Sequence, residues 1–163
     1  MNPKDLLFGE EVRKKIMAGV TKVKQAVGTT LGPKGRNVAL HTKYAGLITV
    51  HDGVSVAREI FLKDKFENIG ALLIRQASQR TNDASGDGTT TATVLAEAIA
   101  IEGNKLITAG ANPMLMKKGI DAAVKQTVEL LKKQAVQVKG IEKLKQVATI
   151  SAADEEIGNA NRH

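Results

Sequence analysis

The sequence predicts a mainly α-helical domain carrying one short antiparallel β-ribbon. Apolar residues recur at three- and four-residue spacing over several long stretches, glycine and proline punctuate the joints, and one pair of β-prone runs stands apart. At 163 residues the chain has room for one domain, or one domain and the start of another, but not for two complete cores.

The first helix is expected over Glu10 to Val27, where Val12, Ile16, Val20, Val23 and Val27 fall on one face. Gly28, Gly32, Pro33 and Gly35 end it, because glycine admits positive φ and proline cannot continue a helix. Asn37 to Leu40 and Leu47 to Val50 then read as a hairpin turning at Tyr44-Ala45-Gly46. Such a ribbon buries little and leaves open edges, so it should pack on this domain or pair with another chain.

Val54 to Leu62 has no clean period, whereas Phe66, Ile69, Leu73, Ile74 and Ala77 mark a second long helix fading near Arg80. Asn82 to Gly88 reads as a break. A third helix starts at Thr89-Thr90-Thr91 and carries Val94, Leu95, Ala98, Ile101 and Leu106 to near Gly110. Asn112 and Pro113 open a fourth, with Met116, Ile120, Val124, Val128 and Leu131 as its stripe. Gln134 to Gly140 is a connector and Ile141 to Val147 a short helix, while Asp154-Glu155-Glu156 suits the first turn of a solvated one.

Several function classes drop out. No run approaches the roughly 18 apolar residues of a membrane span. Met1 to Phe8 resembles neither a secretory signal nor a transit peptide, so the expectation is a cytoplasmic chain without a membrane partner. Without cysteine there is no disulfide, Cys-built zinc site or thiol nucleophile, and His41, His51 and His163 are not spaced to share a metal. The formal charge of +7 invites a nucleic-acid reading, but the charge is spread and aromatics are limited to Phe8, Tyr44, Phe61 and Phe66, so none is expected.

Three loops carry candidate chemistry. In Gly86-Asp87-Gly88-Thr89-Thr90-Thr91, glycines allow close backbone approach, the following helix offers unpaired amides and hydroxyls to phosphate, and Asp87 supplies the hard oxygen Mg²⁺ prefers. Read alone, the same pattern also fits an Asx turn with a threonine cap. Leu31-Gly32-Pro33-Lys34-Gly35-Arg36 could wrap amides around an anion, and equally suits an exposed Gly-Pro turn. Asp52, in His51-Asp52-Gly53, is suited to orienting or deprotonating a water, or simply to an Asp-Gly turn. Neither phosphate loop is a Walker A motif.

Taken in order, these pieces resemble the N-terminal part of a subunit of the group I chaperonin family, the GroEL family. The resemblance rests on the stretches Thr30 to Val38, Asp52 to Ile60, Asp64 to Asn68, Ala84 to Leu95, Ala111 to Pro113, Lys118 to Asp121 and Ala148 to Ala152, and covers the chain to about Ile157. It implies a chaperonin equatorial-domain-like helical bundle with a protruding hairpin, residues 1–133 being the first half of the ATP-binding equatorial domain and 134–163 the start of the intermediate domain.

The implied activity is ATP-driven protein folding. By the same resemblance Thr30, Leu31, Gly32 and Pro33 border the nucleotide, and Asp87 holds Mg²⁺. Gly88, Thr89, Thr90 and Thr91 cradle phosphates, Ile150 and Ser151 lie on the base or ribose side, and Asp52 helps position the attacking water. His51 stands where the family commonly has lysine, making a phosphate contact there weaker and dependent on pH. Potassium is a further cofactor by family analogy.

Partners implied are neighbouring subunits of a homo-oligomeric, heptameric ring, reached by the hairpin, together with unfolded proteins and a co-chaperonin bound through an apical domain. The family is usually acidic and this chain is basic, and Gly158 to His163 departs from the family's apolar helix. The expectation is therefore a truncated subunit without the apical domain, the second catalytic Asp or half of the nucleotide site. A stand-alone nucleotide-binding or ring-docking module is the alternative.

Overall fold

A computed structural model describes residues 5–32, 34–42 and 46–152. In chain order its elements are α1 (Gly9–Gly28), β1 (Val38–Thr42), β2 (Gly46–Val50), α2 (Gly53–Glu59), α3 (Lys65–Ser85), α4 (Thr89–Thr108), α5 (Pro113–Gln134) and α6 (Ile141–Ala152). The described residues are mainly helical with one antiparallel hairpin, as expected. Pro33, the Tyr44-Ala45 turn and the acidic run at 154–156 lie outside the described residues.

The chain divides into two compact units between Asn112 and Pro113. In the first, α1 packs along α3 and α4, and α2 fills the space beside them. The core is Val20, Val23 and Val27 of α1, Val56 and Ala57 of α2, and Ala71 and Ile74 of α3. Val23, Val27 and Val56 are fully buried, each contributing about 1.5–3 kcal/mol relative to exposure. The α1 and α3 backbones cross so closely that a methyl group at Gly19 would strike the Glu67 carbonyl and one at Gly70 the Ile16 carbonyl. Glu97 of α4 is buried in the same packing, held by the Thr21 hydroxyl at 3.3 Å and by Lys24 at 3.8 Å, as a buried carboxylate requires.

The hairpin runs from Val38 opposite Val50 to Thr42 opposite Gly46. Val38, Leu40, Ile48 and Val50 are half-buried, and Val38 and Val50 pack on the core while Leu47 on the other face is exposed. Among the described residues no third strand joins it.

Three boundaries differ from the sequence expectation. The stretch after Asp52 is a helix, because the Asp52 carboxylate caps it. α3 continues to Ser85 through the expected break, its Thr81 and Ser85 hydroxyls donating back to the Ala77 and Thr81 carbonyls, and Gly86 (φ 71°) ends it. α6 runs on past Val147 to include Ile150 and Ser151. In the second unit α5 contains no buried residue, and its apolar Val124, Val128 and Leu131 are exposed. No described helix is long and apolar enough to cross a membrane.

Candidate functional site

Three segments far apart in sequence converge in the first unit: the loop leaving α1, the turn entering α2 and the start of α4. The Thr30 and Thr90 hydroxyl oxygens are 3.2 Å apart. Gly53 seats against the same threonine, so that an added methyl would collide with Thr90 Oγ1 and press on Val27 Cγ1 at 3.2 Å. Glycine is required there by close approach of two helix starts.

The loop after α1 is held by its own backbone. The amides of Thr30 and Leu31 donate to the Val27 and Gly28 carbonyls at 3.1 and 3.2 Å, and those of Gly35 and Arg36 to Gly32 and Thr29 at 2.8 Å. Leu31 and Gly32 are exposed at its tip, giving the site an apolar edge.

The starts of α2, α3 and α4 differ in chemistry. Asp52 caps α2: its carboxylate accepts from the Val54 and Ser55 amides at 3.1 Å and from the Ser55 hydroxyl at 2.6 Å. Burial pushes its pKa up, but the hydrogen bonds from Ser55 and Val54, with the nearby His51, outweigh that and hold it below the ordinary carboxylate range. It is therefore a charged acceptor at neutral pH. Asp64 caps α3 in the same way through Phe66 and Glu67.

The start of α4 has no such cap. Gly88, at φ 79°, precedes it and contributes no side chain. The first intrahelical bond is from Ala92 N–H to the Gly88 carbonyl, so the amides of Thr89, Thr90 and Thr91 come before the helical ladder begins. Together with the positive end of the helix dipole they favour an anion. Thr89 is buried and its carbonyl accepts from the Thr93 hydroxyl, Thr90 is half-buried and Thr91 is exposed.

Asp87 is exposed at the rim, its carboxylate fixed by the Gly88 amide at 2.6 Å. Among the described residues no group of three His, Cys, Asp or Glu could hold a metal unaided. Mg²⁺ does not need one, since it is commonly bound by one or two carboxylates with phosphates and water completing the shell. An exposed, pinned carboxylate beside an anion-favouring helix start fits that donor set.

Thr30, Asp52, Thr89, Thr90 and Thr91 thus lie on the converging segments, with Asp87 and Gly88 on the adjoining turn and His51 exposed beside Asp52. Ile150 and Ser151 are exposed on α6 in the second unit. Pro33 is not described. Gly53 and Ser55 had not been singled out as site residues, although Asp-x-x-Ser before an apolar run carries the signature of a capped helix start.

A sequence model of the TCP-1/cpn60 chaperonin family matches residues 23–162. Among solved structures, a group III chaperonin in its open state is similar, with 27% identity and a TM-score of 0.74, over 90% of this chain and 29% of that one. The chaperonin gp146 from bacteriophage EL 2 (Pseudomonas aeruginosa), determined in the presence of ATP-BeFx, is similar with 27% identity and a TM-score of 0.77, over 93% of this chain and 27% of that one. The chain spans less than a third of the length of either.

Proposed function

The chain belongs to the TCP-1/cpn60 chaperonin family, and on that premise we propose that it carries part of the Mg-ATP site of an ATP-dependent protein-folding subunit of the group I type. The observation that supports this is the convergence of Thr30, Gly53 and Thr90 at the start of α4, which has no side-chain cap.

In this reading the amides of Thr89, Thr90 and Thr91 bind phosphate oxygens, while Thr30, Leu31, Gly32 and Pro33 border the nucleotide. Asp87 holds Mg²⁺, whose role is to neutralise charge between phosphates. Asp52, kept ionised by its own cap bonds, accepts a proton of the attacking water and so orients it. His51 adds a phosphate contact. Ile150 and Ser151 serve the base or ribose side, and potassium is a further cation.

Residues 1–133 are the first half of an equatorial domain, and 134–163 begin an intermediate domain. The hairpin pairs with a neighbouring subunit of a homo-oligomeric ring in the cytoplasm. Unfolded proteins and a co-chaperonin engage parts of a complete subunit outside these residues. A second reading, a stand-alone nucleotide-binding or ring-docking module, draws on the first unit having a core of its own.

The test is calorimetric titration of the purified chain with Mg-ATP, sedimentation of the same sample, and Asp87→Ala as control. Saturable binding that falls at least tenfold in Asp87→Ala supports the site. No binding by a folded chain, or binding unchanged in Asp87→Ala, overturns it. A stable monomer that binds favours the module reading over the ring subunit.

A further inference from the structure

α1 and α4 run antiparallel along one seam, and its contacts keep a single register. Thr30 meets Thr90 at 3.2 Å, a methyl group at Gly28 would touch Val94, and farther down the Thr21 hydroxyl and the Lys24 ammonium reach Glu97 at 3.3 and 3.8 Å. Beyond these, Ala18 and Ile101 line one groove. The buried face of α4 reads Thr89, Thr93 and Glu97 at four-residue spacing. A slip of one turn puts one threonine in the place of the other, so those two positions barely distinguish the registers. Glu97 does distinguish them, because it is only 7% exposed and away from Thr21 and Lys24 its carboxylate loses both partners. The same slip carries Thr90 about 5.4 Å along the helix axis, out of reach of Thr30.

We propose that Glu97, held by Thr21 and Lys24, is a positioning residue that sets the register of α4 on α1 and, through it, the meeting of Thr30 with Thr90. Its link to nucleotide affinity rests on the Mg-ATP reading above, whereas the register is a property of the fold alone. A buried ion pair adds little net stability, since desolvation offsets the attraction, and its best-attested use is to select one arrangement among several that pack alike. An apolar side chain of similar size at position 97 therefore spares the core and removes the penalty on the slipped register.

The chain has no cysteine, so Thr30→Cys with Thr90→Cys installs a single thiol pair whose disulfide reports the register. Its rate of closure under oxidised glutathione is compared with Glu97 in place and in Glu97→Leu and Glu97→Gln, with the melting temperature of each. Mg-ATP affinity is measured in the same three proteins with both threonines intact. Glu97→Leu is expected to melt close to wild type while closing about tenfold more slowly and binding Mg-ATP about tenfold more weakly. Glu97→Gln, which keeps an acceptor for Thr21, stays near wild type in both. Closure at the wild-type rate in Glu97→Leu overturns the proposal, including the merely structural outcome of a lower melting temperature with closure unchanged. Should Glu97→Leu not fold, Glu97→Met is read in the same way. If wild type binds no Mg-ATP the nucleotide reading falls, and disulfide closure alone then decides whether Glu97 sets the register.

Discussion

The starts of α3 and α4 belong to the same packed unit, yet they end their backbones in opposite ways. At α3 the Asp64 carboxylate takes the Phe66 and Glu67 amides at 2.9 and 3.0 Å and is itself bound by Lys15 at 2.8 Å. At α4 the residue in the same place is glycine, and no side chain reaches the amides. A carboxylate cap satisfies the orphan donors and offsets the helix dipole, closing that end to any other anion. Glycine leaves both available. Of these two helices the uncapped one is that on which Thr30 and Gly53 converge, which leaves its amides open where a ligand can be received.

The largest effect is expected where the convergence itself is broken. Gly53→Ala puts a methyl group into Thr90 Oγ1, and relieving it separates the starts of α2 and α4. Overpacking of this kind costs about 1–3 kcal/mol, measurable as a fall in the denaturant midpoint, and Mg-ATP binding should be lost in the same variant.

Removing the closed cap is a smaller perturbation of a different kind. Asp64→Ala should lower the melting temperature by about 5 °C while leaving Mg-ATP affinity unchanged, since Asp64 serves only the fold. The Lys15 ammonium, with the Glu67 and Phe66 amides, holds the Asp64 pKa at about 2 against an ordinary 3.8. For a carboxylate whose folded pKa is depressed, the stabilisation is complete above 3.8 and is lost as pH falls toward about 2. Wild type should lose its melting advantage over Asp64→Ala across that window, and a constant difference between the two would show that the charge plays no part.

The smallest effect sharpens the contrast by closing α4 artificially. Thr91 is exposed in the first turn, so Thr91→Asp should gain about 0.5 kcal/mol through the dipole while weakening Mg-ATP binding severalfold by repulsion. A variant both more stable and weaker in binding would separate the two uses of a helix start. Unchanged affinity would place phosphate elsewhere.

Much of this was legible before the fold was known. The valines of α1 lie on one face at helical spacing, and Pro113 opens α5 as its fixed φ requires. The α2 segment was not legible, because its seven residues are too few to show a period and its start depends on how the Asp52 carboxylate is turned. The end of α3 was misplaced for a related reason: Asn82, Asp83 and Ser85 are turn formers in isolation, but here the helix continues through them. In the Gly-Asp-Gly-Thr-Thr-Thr block, spacing alone is consistent with both a ligand loop and a simple cap.

Local pattern therefore accounts for the helices, the hairpin and the candidate loops, since each follows from backbone preferences and from apolar periods within a few turns. It could not say that Thr30, Gly53 and Thr90 meet. That meeting depends on contacts between residues 37 and 60 positions apart, which arise only when α1, α2, α3 and α4 bury their valines and alanines together. Packing of the core carries these loops to one place, and the hydrogen-bond geometry found there assigns each group its chemistry.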